Sequence, residues 1–142
     1  IGRVMPGVDV SALEAAGNVA QSRVNPDVLL HGDYWPGNLL WHEGELAAVI
    51  DWEDAHTGDP LADLGNSRLE FLWAFGPGAM ATFTRVYLAH AGIDTSHLPY
   101  WDLLAALRPC GKLATWGLAP DDERRMRELH AWFVDQALAA LA

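Results

Sequence analysis

The chain has 142 residues, 51% of them hydrophobic, enough to bury a core of its own as one domain. Its net charge of −10 argues against binding nucleic acid or an anionic membrane surface, and would suit a cationic small molecule. Cys110 is the only cysteine, which excludes an internal disulfide and a cysteine zinc cluster, and no apolar run reaches the ~20 residues of a membrane helix. With no basic-then-apolar leader pattern at the start, a cytoplasmic location is expected.

Val10 to Val24 carries Ala12, Leu13, Ala16, Val19 and Ala20 at helical spacing, and Asn25-Pro26 stops it, which predicts a first helix. Val28-Leu29-Leu30 reads as a short strand leading into His31-Gly32-Asp33-Tyr34-Trp35-Pro36-Gly37-Asn38. Leu39-Leu40-Trp41 and Leu46 to Ile50 read as strands joined by a turn at Glu43-Gly44-Glu45, a hairpin that delivers Asp51 at its end. Gly58-Asp59-Pro60 reads as a helix start, with Asp59 as cap, Pro60 in the first helical position and Asp63 in the first turn. That helix runs to Phe75, where Gly76-Pro77-Gly78 breaks it, and Ala79 to Ala91 continues until Gly92. Tyr100 to Leu118 is another helical stretch with an interruption near Pro109. Pro120-Asp121-Asp122-Glu123 opens the last helix, with Met126, Leu129, Phe133 and Ala137 lining one face.

No repeat, low-complexity segment or linker interrupts this pattern, so residues 1–142 are expected to form one α+β, mainly α-helical domain carrying a small β-hairpin. His56 is read as a loop residue, and Lys112, the only lysine, as a surface residue of a helix. Core packing is expected for most of the seven tryptophans, an aromatic box for a quaternary ammonium being the other reading. Trp35 is the exception, because it lies between Asp33 and Asn38.

The stretch from His31 to Asp51 carries chemistry that phosphoryl transfer needs. An acceptor hydroxyl must give up its proton, and a carboxylate with a pKa of about 4 is ready to take it at neutral pH. Magnesium favours hard oxygen ligands and uses one or two carboxylates, with waters and phosphate oxygens completing its shell. Asp33 suits the base, and Asn38 and Asp51 suit the metal. Pro36 and Gly37 let the chain curl so that Asn38 returns toward Asp33. Asp, Asn, Pro and Gly also make ordinary surface turns, so the assignment rests on the full constellation. Glu53 and Asp54, directly after Asp51, are candidate contacts for a cationic substrate, as is the Trp35 ring.

From Leu30 to Leu64 the sequence resembles the aminoglycoside phosphotransferase and choline kinase superfamily, small-molecule relatives of protein kinases. The hallmark is His-Gly-Asp, four residues, Asn, then Ile-Asp-Trp and a Gly-Asp-Pro with a second Asp. The resemblance implies the C-terminal lobe of a protein-kinase-like fold. It also implies ATP-dependent transfer of a γ-phosphoryl group to a hydroxyl of an aminoglycoside, choline-like amine, amino acid or sugar, with Mg2+ as cofactor. Asp33 becomes the catalytic base, and Asn38 and Asp51 the magnesium ligands. His31, Asp59 and Asp63 become supports of the catalytic loop, with Asp63 accepting its backbone N–H groups.

Such kinases also carry an N-terminal lobe whose sheet, Lys and Glu hold the nucleotide's phosphates. The thirty residues before His31 contain no Gly-rich phosphate loop. The expectation is therefore a chain without that lobe and inactive alone, the alternative being a non-catalytic binding or regulatory module, or a truncated inactive fragment. The missing lobe, or a second copy of the chain, would then cover an apolar patch beside the hairpin and loop.

Overall fold

The computed structural model describes residue 11, residues 17–19 and residues 24–142. The helix expected over Val10 to Val24 thus lies mostly outside the described residues, although residues 17–19 are helical. The described chain runs β1 (Val28–Leu30), a 3-10 turn (Pro36–Asn38), β2 (Leu39–His42), β3 (Glu45–Val49) and β4 (His56–Gly58). Then come α1 (Pro60–Phe75), α2 (Pro77–Ala91), α3 (Leu98–Leu107), a second 3-10 turn (Leu113–Thr115) and α4 (Pro120–Leu141).

The strands form two separate antiparallel pairs. β2 and β3 make the expected hairpin, with Leu39 opposite Val49 and His42 opposite Glu45, and a bulge after Leu40. β1 pairs with β4, Leu30 opposite His56. This second pair corrects the reading of His56 as a loop residue. Its strand is three residues long, and only backbone pairing with β1 marks it as a strand.

The helices start and stop where local chemistry directs. The Asp59 carboxylate accepts from the Leu61 N–H at 2.9 Å and so caps α1, with Pro60 in the first helical turn. Gly76 alone ends α1 and begins α2; its φ of +91° is open to glycine at no steric cost. Pro77, read as part of the break, is instead the first residue of α2. α3 ends at Leu107, just before Pro109, and the segment expected to continue it becomes turns. Lys112 accordingly sits on an exposed turn, not on a helix.

α1 is the central element, packed against α2, α3 and α4. Leu69, Leu72 and Trp73 of α1 meet Met80 of α2, Leu103 and Ala106 of α3, Leu113, and Phe133, Val134 and Ala137 of α4. Gly65 lets α1 and α3 approach closely, since a Cβ there would lie 2.9 Å from the Trp101 carbonyl group. A buried polar pin ties three helices together. Arg68 Nε donates to Asp102 Oδ1 at 3.0 Å, and its Nη1 donates to Thr84 Oγ1 at 2.7 Å. Burial still pushes Asp102 up to about 6 against the pull of Arg68.

The expectation that most tryptophans pack in the core is not met. Among the described residues only Trp73 is buried; Trp35, Trp41, Trp52 and Trp116 are 39–63% exposed. The first three sit on the loop and hairpin, outside the helical core of the described residues, and Trp116 meets Trp73 edge-on. In α4 the inward position belongs to Phe133, which leaves its neighbour Trp132 facing out. Leu40, Trp41, Leu46, Ile50 and Trp52 together give the hairpin an exposed apolar surface. Among the described residues no helix is long and apolar enough to cross a membrane.

Candidate active site

Hydrogen bonds from several elements fix the loop between β1 and the first 3-10 turn. The Asp63 carboxylate, one turn into α1, accepts the His31 N–H at 2.7 Å and the Gly32 N–H at 2.9 Å. Gly32 is obligatory here: its φ is +84°, and a Cβ would lie 2.5 Å from the Asp54 carbonyl oxygen. The His31 ring is buried and bonded at both nitrogens. The Asp33 N–H donates to Nδ1 at 3.2 Å, so Nε2 carries the proton and donates to the Ile50 carbonyl at 2.8 Å. One imidazole thus joins the loop to the end of β3. Trp52 packs against it with the rings tilted by 55° and 4.5 Å between their centres, held by its own Nε1–H to the Val49 carbonyl.

Asn38 closes the loop. Its side-chain nitrogen donates to the Asp33 carbonyl at 2.9 Å and lies 3.4 Å from Asp33 Oδ2. Its backbone carbonyl accepts the Ile50 N–H at 3.0 Å, which sets Asp51 in the residue immediately after that bond. Asp51 takes a left-handed φ of +64°, uncommon for a residue with a side chain and typical of positions held for a purpose. It is exposed, and among the described residues no ion pair holds its carboxylate. Because the Asn38 nitrogen is committed to Asp33, its amide oxygen is the free end. Among the described residues no group of three or more His, Cys, Asp or Glu side chains gathers to hold a metal. One amide oxygen and one carboxylate do not suit zinc or an all-protein calcium cage, but they match magnesium shared with phosphate oxygens.

The remaining candidates fall in different places. Asp59 is 4% exposed, caps α1 and is held by Asn25 Nδ2 at 3.2 Å, well inside the fold. Trp35 lies folded over Gly37 and is partly exposed. Glu53 and Asp54 are exposed; the Asp54 carbonyl accepts from His56 Nδ1 at 2.8 Å, and its backbone walls in Gly32.

Three residues absent from the sequence reading line one cavity with Asp33. Arg108, just past α3, donates from Nη1 to the Gly32 carbonyl at 3.1 Å, and its Nη2 lies 3.9 Å from Asp33 Oδ1. Glu70 on α1 faces the same space. Burial first, and then the Asp33 charge, push its carboxyl up to about 7, with Arg108 opposing. Asn66 is buried beside them, its Nδ2 without a partner. A legible signal existed for two of these. Asp63, Asn66, Ser67 and Glu70 are spaced as one face of a helix, a polar stripe directed at the loop. Ser67 Oγ donates to the Tyr34 carbonyl at 2.9 Å along that same face.

Comparison with known proteins supports the fold and the family. Solved structures of a thermostable mutant of aminoglycoside phosphotransferase APH(4)-Ia superpose with a TM-score of 0.58. The apo form is 23% identical over 91% of this chain and 46% of that one. A ternary complex with AMP-PNP and hygromycin B is 22% identical over 93% of this chain and 46% of that one. Acyl-CoA dehydrogenase family member 11 from Rattus norvegicus is 31% identical over 100 residues, 58% of this chain and 13% of that protein. Family member 10 from Mus musculus is 44% identical over 45 residues, 30% of this chain and 4% of that protein. The chain thus spans under half of the matched structures and at most 13% of these curated relatives. The model of the phosphotransferase enzyme family APH matches residues 8–107. The chain belongs to that family.

Proposed function

We propose that this chain carries the acceptor and magnesium half of an ATP-dependent small-molecule phosphotransferase. The observation that supports this best is the closed circuit Asp33–Asn38–Ile50, which brings the Asp33 carboxylate, a free amide oxygen and Asp51 to one end of the hairpin. Asp33 accepts the proton of the acceptor hydroxyl. The new bond forms from that oxygen to the γ-phosphorus, the bond from the γ-phosphorus to its bridging oxygen breaks, and ADP leaves. Asn38 and Asp51 hold Mg2+, which when bound neutralises charge on the phosphate oxygens. Asp63 and His31 keep the loop from relaxing away from this geometry, a positioning contribution. AMP-PNP and hygromycin B bound to the APH(4)-Ia neighbour support ATP as donor and a hydroxylated small molecule as acceptor.

A second reading is a lobe that does not turn over by itself, and the exposed apolar hairpin surface favours it, since such surfaces call for a covering partner. Mg2+-dependent ATP consumption with a panel of hydroxylated amines, amino acids and sugars separates the two. It is to be run on this chain and on an N-terminally extended version. Turnover that needs Mg2+ and falls at least 100-fold in Asn38→Ala and Asp51→Ala supports the kinase. Absence of Mg-ATP binding in the extended version favours the second reading.

A further inference from the structure

The peptide that links Gly32 to Asp33 is held at both ends. Its N–H, on Asp33, donates to His31 Nδ1 at 3.2 Å, and its carbonyl, on Gly32, accepts from Arg108 Nη1 at 3.1 Å. The preceding peptide is held as well, because the Gly32 N–H donates to Asp63 Oδ1 at 2.9 Å. Asp63 lies on α1 and Arg108 at the end of α3, so two helices that pack against each other grip the same residue of the loop. Arg108 is itself anchored. Its N–H donates to the Ala105 carbonyl at 3.2 Å, and the turns after it close from Cys110 to Leu107 and from Lys112 to Pro109.

The same guanidinium also faces the Asp33 side chain. Nη2 lies 3.9 Å from Oδ1, while Oδ2 lies 3.4 Å from Asn38 Nδ2. The two carboxylate oxygens of Asp33 therefore have different neighbours, a cation at one and an amide at the other. A guanidinium is a planar fork with several donors in fixed relation, so one group can bind a carbonyl and face a carboxylate at once. A lysine ammonium is a single point charge and cannot span both. A carboxylate free to rotate presents either oxygen, and proton abstraction depends on the geometry of the oxygen presented.

We propose that Arg108 is a positioning residue for Asp33: it fixes the Gly32–Asp33 peptide and sets the rotation of the carboxylate, so that a defined oxygen meets the acceptor hydroxyl. The role of that oxygen rests on the phosphotransferase reading, whereas the hold on the peptide does not. Arg108 acts here through Asp33 and not on the phosphates.

Two measurements test this. In the present chain, Arg108→Ala should speed amide exchange at Asp33 by about 10-fold or more while the α1 core amides keep their protection. The Arg108 side chain is 47% exposed, so its vacated place opens to solvent, and millimolar guanidinium should restore the protection where methylammonium does not. In the N-terminally extended chain, Arg108→Ala should lower kcat by about 10- to 100-fold, with the KM values for Mg-ATP and acceptor within a few-fold of native. Guanidinium should recover most of that loss and methylammonium should not, and Arg108→Lys should stay about 5-fold or more below native. Arg124→Ala, which removes a charge at the exposed start of α4, should change neither measurement. Unchanged exchange at Asp33 in Arg108→Ala overturns the hold on the peptide. A native kcat in Arg108→Ala or Arg108→Lys, or equal rescue by methylammonium, overturns the positioning of the carboxylate. A raised acceptor KM with kcat retained also overturns it, since that is the mark of a binding residue. An extended chain that turns nothing over loses the phosphotransferase reading, and the exchange measurement still decides the hold on the peptide.

Discussion

Replacing Asp63 by asparagine tests the loop clamp with a change of almost no volume. In the native chain both carboxylate oxygens are used, by the His31 N–H at 2.7 Å and the Gly32 N–H at 2.9 Å. Hydrogen bonds to a charged acceptor contribute about 1.5–3 kcal/mol each. Asparagine keeps one acceptor and turns an NH2 group toward the other N–H. One bond is lost, the survivor loses its charge assistance, and one amide of a loop whose His31 is 3% exposed goes unpaired. The expected cost is about 3 kcal/mol, which for a domain of this size lowers Tm by roughly 10 °C. Urea titration followed by tryptophan fluorescence measures it. Amide exchange should show His31 and Gly32 losing protection while the α1 core keeps its own. Asp121→Asn, on the exposed start of α4, should leave the midpoint unchanged and serves as the control. A loss under about 0.5 kcal/mol for Asp63→Asn, with loop amides still protected, refutes the clamp.

Glu70 provides a pH signature. Its carboxyl titrates near 7 in the fold against 4.5 when free, so the unfolded chain gives up its proton first. The stability associated with the protonated group is fully present below pH 4.5 and is lost as pH rises through 7, by up to about 3 kcal/mol at 1.36 kcal/mol per pKa unit. Glu70→Gln should flatten that part of the stability profile between pH 5 and 8; an unchanged slope contradicts the assignment. Arg68→Met leaves Asp102 buried and unpaired, costing about 3–5 kcal/mol at pH 8 and less at pH 5, where Asp102 can take up a proton. Equal losses at both pH values would argue against a buried ion pair. Gly32→Ala forces a Cβ against the Asp54 carbonyl at a left-handed φ, and should cost more than about 2 kcal/mol in a denaturant titration. A neutral result means the loop backbone can shift.

The parts of this fold that were legible are those with local signals. Pro60 after Asp59, Gly76, Gly92 and Pro120 punctuate the helices within a residue or two, and the hairpin follows from apolar runs flanking Glu43-Gly44-Glu45. His31 to Asn38 stood out because Pro36-Gly37 folds Asn38 back on Asp33 within eight residues. What escaped depends on distant partners. β4 is a strand only because β1 lies beside it, and His56-Thr57-Gly58 has no apolar pattern of its own. Arg108 reaches Gly32 across 76 positions, which no local spacing announces. Apart from Trp35, the exposed tryptophans depart from the expected core packing because composition tells how much apolar surface exists, not which face a helix covers.

The central claim is that Asp33 takes the acceptor's proton. Single-turnover phosphoryl transfer in the N-terminally extended chain, with Mg-ATP and a competent acceptor, measures this directly in the native protein and in Asp33→Asn. Removal of a positioned base should slow the chemical step by about 100- to 10,000-fold while Mg-ATP affinity stays within a few-fold. An Asp33→Asn protein that transfers the phosphoryl group at the native rate would contradict the account.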